Sequence, residues 1–278
     1  MTKEELIGKE IKCLDHGFVR LVDVMGDDGS IVQAARVSYG AGTKTVNEDR
    51  GLIRYLMRHA HTTPFEMVEF KFHIKLPIFI ARQWIRHRTA NGNEYSGRYS
   101  IMKDDFYLPD IDQIRPQSQN NKQGRSDELF EPDKANEIRN RLDKVQKDLY
   151  ADYESLLGDD FARELARINL PLSNYTEWYW KIDLHNLFHF LRLRIDSHAQ
   201  YEIRVYGEAM AEIVKQIVPH AWEAFEDYSL NSANFSSPEL IAIKQMFNGT
   251  KVEDLDLKEI GLSKREYAEF QKKLDLLK

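Results

Sequence analysis

The chain has 278 residues, with 39 Lys or Arg against 45 Asp or Glu, and its formal net charge of −6 argues against a general nucleic-acid binder. Cys13 is the one cysteine, which excludes an intrachain disulfide and a Cys-rich zinc site and indicates a reducing, cytoplasmic setting. No apolar run approaches the ~20 residues of a membrane span, and residues 1–5 lack the apolar core of a signal peptide. We therefore expect no membrane association.

Short strand patterns and longer helical patterns follow one another along the chain. Residues 18–24 have a strand pattern, and residues 68–76 have a clearer one, because apolar and polar side chains alternate there. Helices are predicted from apolar spacing and capping residues at 30–39, 47–59, 77–88, 133–157, 160–168, 183–198 and 200–217. Since there is no regular βαβ alternation, this order indicates an α+β fold, with a mixed or antiparallel sheet flanked by long helices.

Two segments differ from the rest in composition. Residues 115–127 are rich in Gln, Asn, Ser and Gly, which predicts a mobile surface loop. Beyond residue 229, Ser237-Pro238-Glu239 and the capping box of Ser263 and Glu266 each predict the start of a helix. We therefore predict a main domain over 1–229 and a helical C-terminal extension over 230–278.

The densest group of polar residues lies between positions 83 and 98. On a helix that continues from Pro77, the first members of this group emerge together from an otherwise apolar surface. Arginine forks, a hydroxyl and a free backbone N–H match a phosphate or a carboxylate. The polar members of the group are Gln83, Arg86, His87, Arg88, Asn91, Asn93, Glu94, Ser96 and Arg98, together with the N–H of Gly97. The alternative is a solvated basic helix end followed by a polar turn.

The predicted helix over 183–198 has an arginine on the flank of its apolar stripe. Arg194 lies beside Leu187 and Leu191, and we expect it to be partly buried, whereas His198 is predicted to lie within the stripe. A buried guanidinium needs an anion or several acceptors. Two alternatives satisfy it: an ion pair within the protein, with Glu202 or another acid, or an anionic or polarisable ligand.

Histidines provide further candidates. His185 and His189 are four residues apart on the same predicted helix, but HNLFH lacks the glutamate of the zinc-protease motif and no third ligand is evident, so we predict no metal site. His61 and Thr63 lie at a helix-to-strand turn and are candidate ligand contacts. The sequence contains no glycine-rich phosphate loop and no nucleophile motif, so side chains would hold any nucleotide.

Several segments together resemble a known family. The string RHRTANGNEYSGRYS contains Arg86-His87-Arg88 and, seven residues later, Ser96, and it resembles the signature of the flavin-dependent thymidylate synthases. Other segments that agree in order and spacing are AARVS at 34–38, HTTPFE at 61–66, ARINLPL at 166–172 and LRLRIDSHAQ at 191–200. The resemblance covers roughly residues 15–228.

The resemblance implies that the domain over 1–229 is an enzyme that methylates dUMP at C5 to give dTMP, in de novo dTMP biosynthesis. Methylenetetrahydrofolate donates the carbon and leaves as tetrahydrofolate, and FAD reduced by NADPH carries the hydride. In this family no enzyme cysteine attacks the uracil, which agrees with the isolated position of Cys13. The family forms homotetramers in which several subunits build each active site.

The resemblance also implies roles for individual residues. Arg194 matches an arginine that polarises the uracil, a form of electrostatic stabilisation. The implied dUMP contacts are Gln83, Trp84, Ile85, Arg86, Glu94, Tyr95, Ser96, Gly97, Arg98, Arg167 and Arg194. The implied FAD contacts are Ser38, His61, Thr63, Arg86, His87, Arg88, Glu94, Asp183, His185 and His189.

One segment departs from the family pattern. The family often has Asn-x-Arg where this chain has Asp183-Leu184-His185. A carboxylate facing a cofactor phosphate would repel it unless it points at a ribose or an amide. This departure leaves open a family member that binds flavin without turnover. A non-catalytic nucleotide- or RNA-binding module is a further alternative, although the acidic balance argues against it.

Overall fold

A computed structural model of the chain describes residues 2–37, 46–119 and 122–277. The chain divides into two compact units, Met1–Phe225 and Glu226–Lys278. The first unit contains the sheet and the candidate ligand-binding residues. Ser38, one of the predicted FAD contacts, lies outside the described residues.

The first unit is organised on an antiparallel sheet. Its described strands, in the spatial order β1-β2-β3-β5-β4, are β1 (Glu10–Cys13), β2 (Gly17–Met25), β3 (Glu69–Pro77), β4 (Asn91–Glu94) and β5 (Tyr175–Asp183). Neighbouring strands pair antiparallel throughout. Together with the helices below, this sheet confirms the predicted α+β class.

The two predicted strands are confirmed as β2 and β3. In β3, Phe70, Phe72 and Ile74 are fully buried, in the alternating pattern that the sequence indicates. Strand β5 was not predicted, although Trp178 and Trp180 are buried at alternate positions in the same way. The short strands β1 and β4 have four residues each, too few for alternation to distinguish them from turns.

Along the chain of the first unit, helices precede, separate and follow these strands. They are α1 (Lys3–Leu6), α2 (Asp28–Val37), α3 (Val46–Arg58), α4 (Ile78–Trp84), α5 (Pro132–Gly158), α6 (Arg163–Ala166), α7 (Leu184–Arg194), α8 (Tyr201–Ile217) and α9 (Pro219–Phe225). The long helices α5 and α8 match their predicted bounds closely. Helices α4 and α7 both end earlier than predicted, and both ends lie at the candidate site.

Helix α4 ends at Trp84, and the prediction that it runs to about Arg88 is wrong. The N–H of His87 donates to the Trp84 carbonyl at 2.9 Å and closes a turn. The helix has to stop here because the edge strand β4 follows after a short connection and pairs with β5. Arg86 and His87 therefore leave the helix and do not share one of its faces with Gln83.

Helix α7 ends at Arg194, and the chain turns before α8 begins. The Asp196 carboxylate accepts a hydrogen bond of 2.7 Å from the His198 N–H in this turn. The side chain of His198 is 78% exposed, so the prediction that it lies in the apolar stripe is wrong. Arg194 is half-buried, as predicted.

An aromatic cluster supports the end of α4. Trp84 is fully buried, and its ring packs against those of Trp178, Trp180, Phe190 and Tyr206, the Phe190 centroid lying 4.6 Å away. Edge and tilted contacts of this kind add stability beyond the burial of apolar area. The cluster therefore holds the end of α4 against β5 and α7, from which the site residues project.

The polar segment 115–127 is tied to helix α8. Gln117 and Arg125 form an isolated bridge within it. The Arg125 guanidinium donates to both carboxylate oxygens of Glu202, at 2.6 and 2.7 Å. Because Glu202 is occupied by Arg125, the alternative that it pairs with Arg194 is wrong.

The second unit consists of helices in its described residues: α10 (Ser237–Phe247), α11 (Leu257–Ile260) and α12 (Lys264–Asp275), besides short turns of other helix types. It has a hydrophobic cluster of its own, made of Ala242, Leu255, Ile260, Leu262 and Phe270. The extension over 230–278, distinct from a domain over 1–229, stays a prediction. Across the described ranges, the helices are all too short or too polar to cross a membrane.

Capping residues begin two of these helices. Ser263 and Glu266 form the predicted capping box of α12. For α10 the capping box pairs Ser236 with Glu239, so the N-cap is one residue earlier than the predicted Ser237. Glu239 also receives hydrogen bonds from Lys273 at 2.7 and 2.8 Å, which links the first and last helices of the unit.

Candidate active site

A cleft of about 340 Å³ lies between the turn after α4 and helix α7. We call it the arginine cleft. Its lining residues are Arg86, His87, Arg88, Thr89, Ile182, Asn186, His189, Leu193 and Arg194. The Arg-His-Arg signature thus faces the helix that carries Arg194, although the two segments are about a hundred residues apart in the chain.

The cleft concentrates positive charge. Arg86, Arg88 and Arg194 have no carboxylate partner among the described residues. Elsewhere in this unit, arginines such as Arg36 and Arg125 form ion pairs with acids, at 2.7 and 2.6 Å. Guanidinium groups that converge without acids favour an anionic ligand with oxygen acceptors.

His87 and Arg194 are bonded to each other in this cleft. The Arg194 Nε–H donates to His87 Nε2 at 3.1 Å. Burial, together with the charges of Arg194 and His189, lowers the pKa of His87 to about 4. His87 is therefore neutral at physiological pH and acts as the acceptor. Burial also lowers the pKa of Arg194, a group that stays charged because its reference value is so high.

The N-terminus of α7 explains the position of Asp183. Its carboxylate caps the helix, accepting hydrogen bonds from the Asn186 backbone N–H at 2.9 Å and from the Asn186 side-chain amide at 2.7 Å. Both carboxylate oxygens of Asp183 are thus engaged locally. Asn186, which the sequence reasoning missed, lines the cleft instead.

At the C-terminal end of α7, the chain packs closely against a glycine of α8. A Cβ atom at Gly207 of α8 would lie 3.1 Å from the Ile195 side chain and 3.3 Å from the backbone carbon of Arg194. The absence of a side chain at Gly207 therefore allows α8 to approach the residue that carries the guanidinium.

A second group of predicted contacts lies around the turn at 96–100. The N–H groups of Tyr99 and Ser100 donate to the Ser96 carbonyl, both at 3.1 Å, and close this turn. A Cβ atom at Gly97 would lie 3.0 Å from Cδ of Arg167, so this glycine admits the arginine. We call Ser96, Gly97, Arg98 and Arg167 the turn cluster.

The two arginines of the turn cluster, Arg98 and Arg167, have only weak partners for their guanidinium groups. Arg98 and Glu164 are both exposed and lie 3.6 Å apart, a long and weak ion pair. The Nε–H of Arg167 donates to the Glu164 carbonyl at 3.5 Å, at the limit of a hydrogen bond. Both guanidinium groups therefore have donors available for a ligand.

The predicted contacts between the cleft and the turn have varied environments. Oε1 of Gln83 is buried and has no hydrogen-bond partner among the described residues, so it is an acceptor that a ligand could satisfy. The Glu94 carboxylate accepts from the Thr176 hydroxyl at 2.8 Å, and the Tyr95 hydroxyl donates to the Ile101 carbonyl at 2.6 Å.

Two residues next to Gln83 differ sharply in exposure. The side chain of Trp84 belongs to the core, and only its backbone is left to contact a ligand. Ile85 is 51% exposed, which is high for an isoleucine. A residue of this type at the rim of a charged site suits contact with an apolar ring face.

His61 and Thr63 line a larger pocket of about 1,170 Å³. Its walls include Gln33, Ala34, Arg36, Val37, Leu52, Tyr55, Leu56 and Met67. The ring of Tyr55 stacks on that of His61, with centroids 5.9 Å apart. This His61 pocket is more apolar than the arginine cleft, and its size suits an extended ring system.

The absence of a metal site stays a prediction. Among the described residues, no group of three or more His, Cys, Asp or Glu could hold a metal ion. His185 is half-buried and lies outside the lining of the arginine cleft, whereas His189 is exposed within it.

The structure brings some predicted residues together and leaves others apart. Of the predicted residues, those that line the arginine cleft together are Arg86, His87, Arg88, His189 and Arg194. Among the described residues, the turn cluster and the His61 pocket share no residue with the lining of the arginine cleft. The sequence reasoning missed Asn186 and Leu193. Their spacing from His189, three before and four after, was the available signal.

The fold and the cleft define an α+β protein with a cleft whose arginine side chains suit an anionic ligand. Residues 20–220 match the family described as "Thymidylate synthase complementing protein". A flavin-dependent thymidylate synthase from Rickettsia bellii is 56% identical over 281 residues, which cover 97% of this chain and 95% of the relative. Another from Treponema denticola is 58% identical over 266 residues, covering 96% of this chain and 97% of the relative. The chain belongs to the flavin-dependent thymidylate synthase family.

A solved structure agrees with this assignment. The UMP/dUMP methylase PolB from Streptomyces cacaoi, in a crystal structure with 5-Br dUMP, superposes with a TM-score of 0.71 at 32% sequence identity. The match covers 79% of this chain and 99% of PolB. The fold is therefore shared with a protein that methylates uracil nucleotides.

Proposed function

We propose that this chain catalyses the reductive methylation of dUMP to dTMP, with methylenetetrahydrofolate as the carbon donor and tetrahydrofolate as the product. FAD reduced by NADPH is the hydride carrier. The observation that carries the proposal is the arginine cleft, where Arg86, Arg88 and Arg194 converge without carboxylate partners in the described residues. Membership of the flavin-dependent thymidylate synthase family supports FAD and dUMP as the anionic ligands that meet at this cleft.

The residues of the chain fit FAD. The guanidinium groups of Arg86 and Arg88 match a diphosphate, and the His61 pocket is large and apolar enough for a ring system. We propose that FAD is held by Ser38, His61, Thr63, Arg86, His87, Arg88, Glu94, Asp183, His185 and His189. Asp183 would contribute through Asn186, since its own carboxylate is occupied by the helix cap. When bound, FAD supplies the hydride for the reaction.

For dUMP we propose that the turn cluster binds the phosphate. The weak partners of Arg98 and Arg167 leave their donors available, and Ser96 and Gly97 add a hydroxyl and a backbone N–H. The orphaned Oε1 of Gln83 supports a contact with a donor on the nucleotide. Trp84, Ile85, Arg86, Glu94, Tyr95 and Arg194 complete the proposed dUMP contacts.

Arg194 is proposed as the catalytic residue that polarises the uracil. Its Nε–H is occupied by His87, so its terminal NH₂ groups are the donors left for a ligand. A fixed cation beside a ring that develops negative charge stabilises the transition state, by an amount that in comparable sites is about 3–4 kcal/mol. This electrostatic route needs no thiolate, and Cys13 is buried away from the cleft.

We further propose a homotetramer with shared active sites, located in the cytoplasm. The arginine cleft contains none of the turn-cluster residues in its described lining, which supports shared sites, because a second copy could bring the two groups together. The exposure of Tyr99 and Ile168 beside the turn cluster, 77% and 70%, supports a contact there. The single free cysteine suits a reducing compartment.

The test is the protein's colour and its turnover. We expect protein purified without added cofactor to be yellow, with FAD close to one per chain, and to form dTMP from dUMP, methylenetetrahydrofolate and NADPH. Colourless protein without affinity for FAD would contradict the proposal. Protein that binds flavin but neither oxidises NADPH nor forms dTMP would identify a family member that has lost turnover.

A further inference from the structure

We propose that His87 is a positioning residue for Arg194. Its Nε2 atom holds the arginine Nε–H and so aims the two terminal NH₂ groups at the substrate. This inference rests on the proposed function, in which Arg194 polarises the uracil. In this role the histidine of the Arg-His-Arg signature acts on the substrate indirectly, by orienting the Arg194 side chain. This role is separate from its proposed contact with FAD.

The hydrogen bond defines the direction of the interaction. All nitrogens of a guanidinium donate and none accepts, so at 3.1 Å the Nε2 atom of His87 must offer a lone pair to Arg194 Nε–H. The ring proton therefore lies on Nδ1. Among the described residues His87 is the hydrogen-bond partner of Arg194, which leaves the terminal nitrogens of the arginine to the cleft.

The ring of His87 is itself fixed in place. It packs edge-on against Phe190, with centroids 4.9 Å apart and planes at 74°. Phe190 is fully buried and packs in turn against Trp84. At the other end of the bond, Gly207 admits the backbone of Arg194 against α8. The ring of His87 is thus held by the core, and the backbone of Arg194 lies close against α8, so both partners of the bond have restricted positions.

The charges around His87 maintain it as an acceptor. The groups that face it are Arg194 and His189 from α7, with Arg86 and Arg88 on either side of it in the turn. The three arginines are cationic, His189 is a weak base whose pKa is lowered by burial and by neighbouring cations, and the described lining of the cleft has no carboxylate. Protonation of His87 would set an N–H against the Arg194 N–H and add a like charge, so the bond is stable only while His87 is neutral.

Two substitutions of His87 distinguish the effect of its hydrogen-bond acceptor from the effect of its ring packing. His87→Gln can place an amide oxygen near the position of Nε2, whereas His87→Phe keeps the ring packing and removes the acceptor. With FAD saturating and rates expressed per bound FAD, we expect His87→Phe to lower kcat about 100-fold with little change in KM for dUMP. His87→Gln should recover most of the loss. If His87→Phe fails to fold, His87→Asn replaces it, because the asparagine side chain is too short for its oxygen to reach Arg194 Nε–H.

A double-mutant cycle then tests whether His87 acts through Arg194. Lysine has no Nε–H, so in an Arg194→Lys background the His87→Phe change should cost less than about threefold in kcat. A full loss of about 100-fold in that background would overturn the proposal, since it would place His87 in a role independent of Arg194. Wild-type kcat in His87→Phe would overturn it as well.

The controls distinguish this inference from the proposed function. His16→Phe makes the same substitution at an exposed histidine on the β1–β2 turn and should leave kcat unchanged. Arg194→Ala should abolish dTMP formation while FAD binding and the circular dichroism spectrum persist. If Arg194→Ala retains turnover, the catalytic role of Arg194 fails. If it is inactive while His87→Phe is normal, only the positioning role fails.

Discussion

At the scale of single residues, burial decides the chemistry of Cys13. Its side chain is 1% exposed, and burial raises the pKa of the thiol to about 12. The thiol is therefore protonated at pH 7. A buried protonated thiol is a small hydrophobic group, unsuited to attack on a pyrimidine ring.

Cys13→Ala should therefore retain full dTMP formation and lose about 1 kcal/mol of unfolding free energy, the cost of a small cavity. Steady-state turnover and urea denaturation measure the two quantities. Alkylation by iodoacetamide, followed by mass spectrometry, should be slow in the native protein and fast in denaturant. Loss of turnover in a folded Cys13→Ala variant would show that the thiol takes part in the reaction.

Arg98 acts on the phosphate in the proposed site, because it belongs to the turn cluster and its pair with Glu164 is long. Arg98→Ala should weaken dUMP binding about 10- to 100-fold, the range for a lost hydrogen bond to a charged group. Binding of deoxyuridine, which has no phosphate, should change little. Calorimetric titration of both ligands provides the comparison.

Arg82→Ala is the matched control for this measurement, because Arg82 is an exposed arginine on α4 outside the turn cluster and the arginine cleft. It should leave both affinities unchanged. Equal weakening of dUMP and deoxyuridine in Arg98→Ala would mean that Arg98 acts on the base or on the fold.

At the scale of elements, helix α7 carries His189 and Arg194 into the cleft, and its two ends set their positions. Asp183 caps the first end through the Asn186 N–H, and Gly207 accommodates the last. A shift of the helix would move both ligand-facing side chains together. The Asp183 cap thus helps to position the site residues, even though its carboxylate is bonded to the helix and does not face the cleft.

Asp183→Ala should lower the unfolding free energy by about 1 kcal/mol, since the N-cap hydrogen bond is lost. Asp183→Asn is the matched control, because asparagine caps helices as well as aspartate does, and it should stay within a few tenths of a kcal/mol of wild type. The midpoint of urea denaturation measures both. Equal destabilisation in the two variants would mean that the charge of Asp183, and not its cap, is what the fold requires.

At the scale of the whole molecule, the chain comprises two units, each with its own hydrophobic residues. In the second, Phe270 is fully buried among Ala242, Leu255, Ile260 and Leu262. This cluster and the bonds from Lys273 to Glu239 connect helices α10, α11 and α12 within the second unit. We expect it to respond to mutation as a cooperative unit.

Phe270→Ala should cost about 3–5 kcal/mol within the second unit, because it removes a fully buried aromatic side chain. Hydrogen exchange followed by mass spectrometry should then show faster exchange across α10 and α12, with the strands of the first unit unchanged. The control is Phe247→Ala in the same unit, where the side chain is 87% exposed, and its effect should stay within about 0.5 kcal/mol. Faster exchange throughout the sheet would contradict the independence of the second unit.

Much of this architecture could be predicted from local patterns. Alternation identified β2 and β3, and helical spacing identified α5 and α8, because both patterns reflect neighbours close in sequence. The same reasoning overlooked β5, where the alternation of Trp178 and Trp180 was present, and extended α4 and α7 too far. Those helix ends depend on the pairing of β4 with β5 and on the approach of α8, which are long-range contacts.

The sequence by itself determined the family, since the Arg-His-Arg signature and the segments around it are read directly from residue order. It also indicated that Arg194 would be partly buried and would need a partner. Only the tertiary structure decided which partner: Glu202 pairs with Arg125, and His87, 107 positions away, accepts from Arg194. The physical reason is that periodicity reports the face of an element, whereas a hydrogen bond between distant segments depends on how the elements pack.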